Sequence, residues 1–92
     1  MSGFKWDETK AAANLLKHGV SFDEADTVVF GVLSTWAADL RHFDAEARVQ
    51  VTGWSSAGRL LVVIVSTAGS RPRIISARRA TKRERHEYEA RP

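Results

Sequence analysis

Ninety-two residues, 43% hydrophobic and 27% charged with a net charge of +3, are expected to form one small domain, residues 1–92, with a modest core. The longest apolar run, Leu60 to Val65, is six residues, against the roughly 18–20 of a membrane-spanning helix, which excludes that class. The opening segment lacks the basic stretch, apolar stretch and small-residue cleavage site of a secretory signal, and cysteine is absent. A cytoplasmic chain without disulfides, thiolate zinc sites or cysteine nucleophiles is therefore expected.

Asp7 is placed to cap a helix over about Glu8 to His18, in which Ala11, Ala12, Leu15 and Leu16 fall on one face and Gly19 supplies a left-handed stop. Ser21 and Glu24 then form an S-x-x-E capping box, with Val20 and Ala25 as a hydrophobic staple. The second helix is short and ends near Phe30. Past Leu33 the period changes to that of strands. Ser34 to Asp39 is a weak candidate, Arg48 to Trp54 alternates around Val49 and Val51, and Leu60 to Val65 reads as covered on both faces. Pro72 to Arg78 follows, its alternation sending Arg73, Ile75 and Ala77 to one side and Ile74, Ser76 and Arg78 to the other. Thr81 and Glu84 open a basic helix over about Lys82 to Glu89. The expected class is α+β: two N-terminal helices, an antiparallel sheet of three to four strands, and a C-terminal helix, with helices on one sheet face and the other open.

Charge is unevenly placed: residues 1–30 sum to −2, residues 31–70 to zero and residues 71–92 to +5. The last quarter holds Arg71, Arg73, Arg78, Arg79, Lys82, Arg83, Arg85 and Arg91, which makes nucleic acid or an acidic protein surface the natural partner class. Arg83 with Glu87 and Arg85 with Glu89 equally suit i,i+4 pairs on a solvated helix.

Trp6-Asp7, Lys10-Ala11, Asn14, Lys17 through Phe22, Glu24-Ala25 and Phe30 resemble the opening signature of the BrnT ribonuclease toxin family. Gly53, Ser55, the run Gly58 to Val63, Arg73 through Arg78, Ala80, Glu84-Arg85 and Tyr88 resemble its strand and C-terminal blocks in the same order. Two departures stand out: Gly31-Val32-Leu33 follows Phe30 where the family usually has acidic residues and proline, and Trp54 precedes Ser55. The resemblance implies a RelE-like fold and a toxin that cleaves RNA without metal and inhibits growth. It also implies neutralisation by a ribbon-helix-helix, BrnA-like antitoxin, a heterotetramer with two toxin copies, and operator DNA contacted mainly through the antitoxin, so that the pair represses its own operon.

Metal-free RNA cleavage needs a group to take the 2′-hydroxyl proton, cations for the phosphorane and a donor for the 5′-oxygen. Histidine, with an ordinary pKa of ~6.5, and the guanidinium fork are the suitable types. The candidate catalytic residues are His18, His42, Arg73 and Arg78; those for RNA binding are Lys10, Lys17, Trp54, Arg79 and Tyr88, with Trp36 or Phe43 as further stacking surfaces. Each has a plainer role available: His18 as a helix-end side chain, His42 in a solvated loop, His86 on a charged helix face, Tyr88 packed on the sheet. On a regular strand Arg73 and Arg78 face opposite ways and need a bulge to address one phosphate. Asp39, His42, Asp44 and Glu46 would make only a loose metal site, so neither metal nor cofactor is expected. A non-catalytic module binding nucleic acid or protein, or a degenerate toxin that keeps only antitoxin binding, fits the same composition.

Overall fold

The computed structural model describes residues 6–38, 47–69 and 71–91. Helix α1 spans Glu8–His18; the Asp7 carboxylate accepts from the amides of Thr9 (2.7 Å) and Lys10 (3.2 Å), and Gly19 (φ 68°) closes it by donating to the Leu15 carbonyl at 2.9 Å. Helix α2 spans Phe22–Val29. Ser21 Oγ caps it by accepting from the Glu24 amide at 3.0 Å, but the expected box is only half formed. The Glu24 carboxylate turns away to Ser55 Oγ (2.7 Å) and to the Arg59 guanidinium (2.9 Å from Nε), because a charge-assisted fork outcompetes a neutral backbone amide.

Strands β1 (Thr35–Ala38), β2 (Arg48–Trp54), β3 (Leu60–Ser66) and β4 (Arg73–Arg79) form an antiparallel meander in that spatial order. One face, carrying Val51, Leu61, Val63, Val65, Ile74 and Ala77, packs on Val20, Phe22, Ala25, Val28 and Val29. Trp6 closes the end of this core, edge-on to Phe22 with ring centroids 6.0 Å apart. Every residue of β3 is buried, as its uninterrupted apolar run anticipates.

The β3–β4 register is irregular: Val63 lies across from Ala77 and Ile64 from Ser76, but Val65 lies across from Ile74, which leaves Ile75 as an extra residue. Residues directly across a ladder share a face, so Arg78 (across from Val62), Ser76 (Ile64) and Arg73 (Ser66) all lie on the face away from α2. The strict alternation read from the sequence is thereby corrected. One inserted residue flips everything beyond it.

Helix α3 (Lys82–Glu89) corrects a second expectation, since it folds back across the face that was expected to be open. Leu60, Val62 and Ile64 on that face are buried. The helix buries none of its own residues and is tied down by polar contacts: Glu84 to Arg78 (2.7 and 2.8 Å), the Arg85 guanidinium over the Trp54 ring (4.9 Å), and the Tyr88 hydroxyl donating to the Leu33 carbonyl (2.8 Å). With no apolar stripe in the helix, the sequence hinted at this docking only through Tyr88, whose plainer role was to pack on the sheet.

Candidate active site

Lys10, Asn14 and His18 are spaced by four residues, so on α1 they lie within one side of the helix. The middle residue fixes the other two. Asn14 Nδ2 donates to the Ala77 carbonyl (2.8 Å) and to the Val20 carbonyl (3.0 Å), and its Oδ1 accepts from the Ala77 amide (3.2 Å). The carboxamide acts as a short stand-in for a fifth strand on the free edge of β4. It seats α1 along that edge, with Lys10 and His18 one turn to either side.

Across from them the bulged β4 presents Ser76 and Arg78, β3 presents Ile64, and β2 presents Arg48. Together with Lys10, His18 and Ile75 these residues line a cleft of about 580 Å³. Four of its seven lining residues are of basic type, they come from α1, β2 and β4, and among the described residues no carboxylate lines it.

Of the sequence-predicted residues, Lys10, His18 and Arg78 meet in this cleft. Arg73 lies on the same sheet face, across from Ser66, at an exposed position outside the lining. Lys17 is exposed on α1 and is not part of the lining. Arg79 lies across from Leu61, on the face of the core helices, where its charge helps to hold the Glu24 carboxyl down. Trp54 lies beneath Arg85, and the Tyr88 hydroxyl is engaged by Leu33. Trp36 lies on β1, half exposed. His42 and Phe43, with the other acidic residues weighed as metal ligands, fall outside the described residues; among those described, no three of His, Asp or Glu converge.

Arg48 and Ser76 were missed as site residues. The signal for Arg48 was its parity with Gln50 and Thr52, which puts it on the polar side of β2. That this side faces the cleft depends on the pairing of Arg48 with Ser66, which is a tertiary fact.

Two carboxylates set the local electrostatics. Glu84 is pulled down to about 2, chiefly by the hydrogen bonds from Arg78, against the opposing effect of burial and with help from the Thr81 amide. Glu24 is lowered chiefly by Arg59, against burial and with Ser55 assisting. The Arg59–Glu24 pair also reaches the Gly19 carbonyl (3.1 Å), locking the α1–α2 corner to the β2–β3 turn.

Fold and cleft define the class: a small α+β protein with a cation-lined cleft between a helix and the edge of an antiparallel sheet. The family model described as the ribonuclease toxin BrnT of type II toxin-antitoxin systems matches residues 6–84, and the chain belongs to that family. The 1.1 Å crystal structure of the Brucella abortus ribonuclease toxin BrnT is similar over 89% of this chain and 100% of that one, with a TM-score of 0.65 and 24% identity. That likeness bears on the fold, and it agrees with the expected two helices, antiparallel sheet and terminal helix. No curated protein matches the chain. Membership makes the chain the toxin side of a two-component system, with an antitoxin as its counterpart. No helix among the described residues is long and apolar enough to cross a membrane.

Proposed function

We propose that the chain is an endoribonuclease toxin that binds RNA in the cleft between α1 and β4 and cuts it without a metal ion. The observation that carries this reading is the meeting of Lys10, His18, Arg48 and Arg78, from three separate elements, around one cleft whose described lining has no carboxylate. A phosphodiester placed there meets cations on several sides in a partly desolvated recess, where they act more strongly than in bulk water.

The ribose 2′-oxygen attacks the adjacent phosphorus as His18 takes its proton. The bond to the 5′-oxygen breaks and Lys10 returns a proton to it, leaving a 2′,3′-cyclic phosphate and a 5′-hydroxyl. Arg78 and Arg48 hold the non-bridging oxygens as charge gathers on them. His42 and Arg73 remain candidates for the chemistry, and Lys17, Trp54 and Tyr88 for gripping the strand on either side; Arg79, on the opposite sheet face, is left out of the grip. A ribbon-helix-helix antitoxin neutralises the activity in the cytoplasm, in an assembly with two toxin copies that contacts operator DNA through the antitoxin.

The test is cleavage of RNA by the chain purified free of its antitoxin, in EDTA, together with growth arrest on expression. Intact RNA under these conditions overturns the reading. Saturable, salt-dependent RNA binding without cleavage would mark a non-catalytic module instead.

A further inference from the structure

The Arg78 guanidinium meets the Glu84 carboxylate two-pronged, Nη1 to Oε1 at 2.7 Å and Nη2 to Oε2 at 2.8 Å, and both side chains are mostly buried, at 24% and 22% exposure. Glu84 is itself held in place from behind. It is the third residue of α3, and its Oε1 accepts from the Thr81 amide at 2.8 Å while the Thr81 hydroxyl accepts from the Glu84 amide at 3.1 Å. The carboxylate is thus fixed to the start of a helix, and the guanidinium is fixed to the carboxylate.

The two residues also line different recesses. Arg78 lines the basic cleft, whereas Glu84 lines the neighbouring pocket under α3 with Thr35, Gln50 and Thr52. Glu84 thus meets the Nη1–Nη2 edge of the guanidinium from outside the cleft, whose lining includes Arg78 but not Glu84. An arginine on a flexible stem has many rotamers to lose on meeting a phosphate. One already clamped has lost them on folding, so its charge is in place when the transition state forms.

We propose that Glu84 is a positioning residue for RNA cleavage, orienting the Arg78 guanidinium towards the scissile phosphate through the capped first turn of α3. The inference rests on the function proposed above. It accounts for a paired acid within a basic tail, which charge counting alone reads as a lost cation.

The test is the steady-state cleavage of a short fluorogenic RNA by wild type, Glu84→Gln, Arg78→Lys and the double variant, with thermal unfolding recorded for each. Glutamine at this position still serves a capping box, so the helix start survives while the charged clamp is removed. The expected result for Glu84→Gln is a fall in kcat of roughly 10- to 100-fold with KM unchanged or lower, because the charge that attracts RNA remains. Arg78→Lys keeps the charge without the fork; it is expected to show a loss of similar size, and adding Glu84→Gln to it to cost little more. Equal kcat in Glu84→Gln and wild type overturns the proposal, as do losses that multiply fully in the double variant. Should Glu84→Gln fold poorly, the comparison of Arg78→Lys with wild type decides: undiminished kcat shows that the clamped fork is not used. A wild-type chain that makes no cut fails at the earlier step, bringing down the proposed function and this inference together, whereas cleavage that ignores residue 84 brings down this inference alone.

Discussion

Asn14 and Ala77, 63 positions apart, exchange two hydrogen bonds: the Asn14 carboxamide donates to the Ala77 carbonyl at 2.8 Å and accepts from the Ala77 amide at 3.2 Å. This one side chain satisfies the backbone of an edge strand, attaches α1 to the sheet and sets the positions of Lys10 and His18. Replacing it with alanine leaves a buried amide and two carbonyls without their partner. The expected loss is about 1–3 kcal/mol, read as a lower midpoint in thermal or urea unfolding. Asn14→Asp is expected to be worse at neutral pH, since it sets a carboxylate against the carbonyls of Val20 and Ala77.

A second stability test lies at Gly53, where a Cβ would come within 2.1 Å of Ser34 Oγ, 3.0 Å of Ser34 Cβ and 3.1 Å of Ser34 Cα. The hydroxyl can rotate away, but only by giving up its 2.5 Å bond to the Val28 carbonyl, and the Cα belongs to the backbone, which no rotamer change can move. Gly53→Ala is expected to destabilise by about 1–3 kcal/mol or more. Combining it with Ser34→Gly should recover only part of the loss in urea unfolding, because the backbone crowding persists.

Position relative to the sheet separates the arginines that the sequence presents as equals. His18→Ala is expected to lower RNA cleavage by roughly 100-fold or more. Arg48→Ala should weaken RNA binding and reduce the slope of log affinity against log salt by about 0.7 for a single strand. Arg79, on the opposite face near Glu24, should tolerate alanine with cleavage close to wild type. A large loss of cleavage at Arg79 with the cleft variants unaffected would place the RNA elsewhere.

Acid stability should report the two clamped carboxylates. Glu84 is ionised down to about 2 in the folded chain, against 4.5 for the ordinary group, because Arg78 and Thr81 bond its charged form; Glu24 is lowered in the same direction by Arg59. A carboxylate depressed by folding contributes its stability fully above its unfolded pKa and loses it as pH falls through the window towards the folded value. Unfolding midpoints are expected to drop between about pH 4.5 and 2. Glu84→Gln should start lower at neutral pH and show a shallower drop across that window.

Local rules made the elements legible. Asp7, Ser21 and Thr81 cap helices as their sequence positions suggest, Gly19 takes the left-handed turn, and the six-residue apolar run from Leu60 lies in a strand buried on both faces. These are interactions among residues a few positions apart, or periodicities, and both can be read along a chain. Lys10, His18 and Arg78 were legible as candidates because the chemistry of RNA cleavage asks for their residue types.

What tied them together was not legible. The bulge at Ile75 depends on how β4 fits against β3, and it alone decides that Arg73 and Arg78 share a face. Asn14 reads as an ordinary polar helix residue until β4 lies beside it. Glu84 reads as a capping acid until α3 folds back and Arg78 reaches it from the strand. Sequence by itself determined which segments are helix or strand and which side chains have suitable chemistry, since those follow from nearest neighbours and residue type. Only the tertiary structure decided which of those side chains face one cleft, because a one-residue change in register turns a strand over and contacts between distant segments have no signature along the chain.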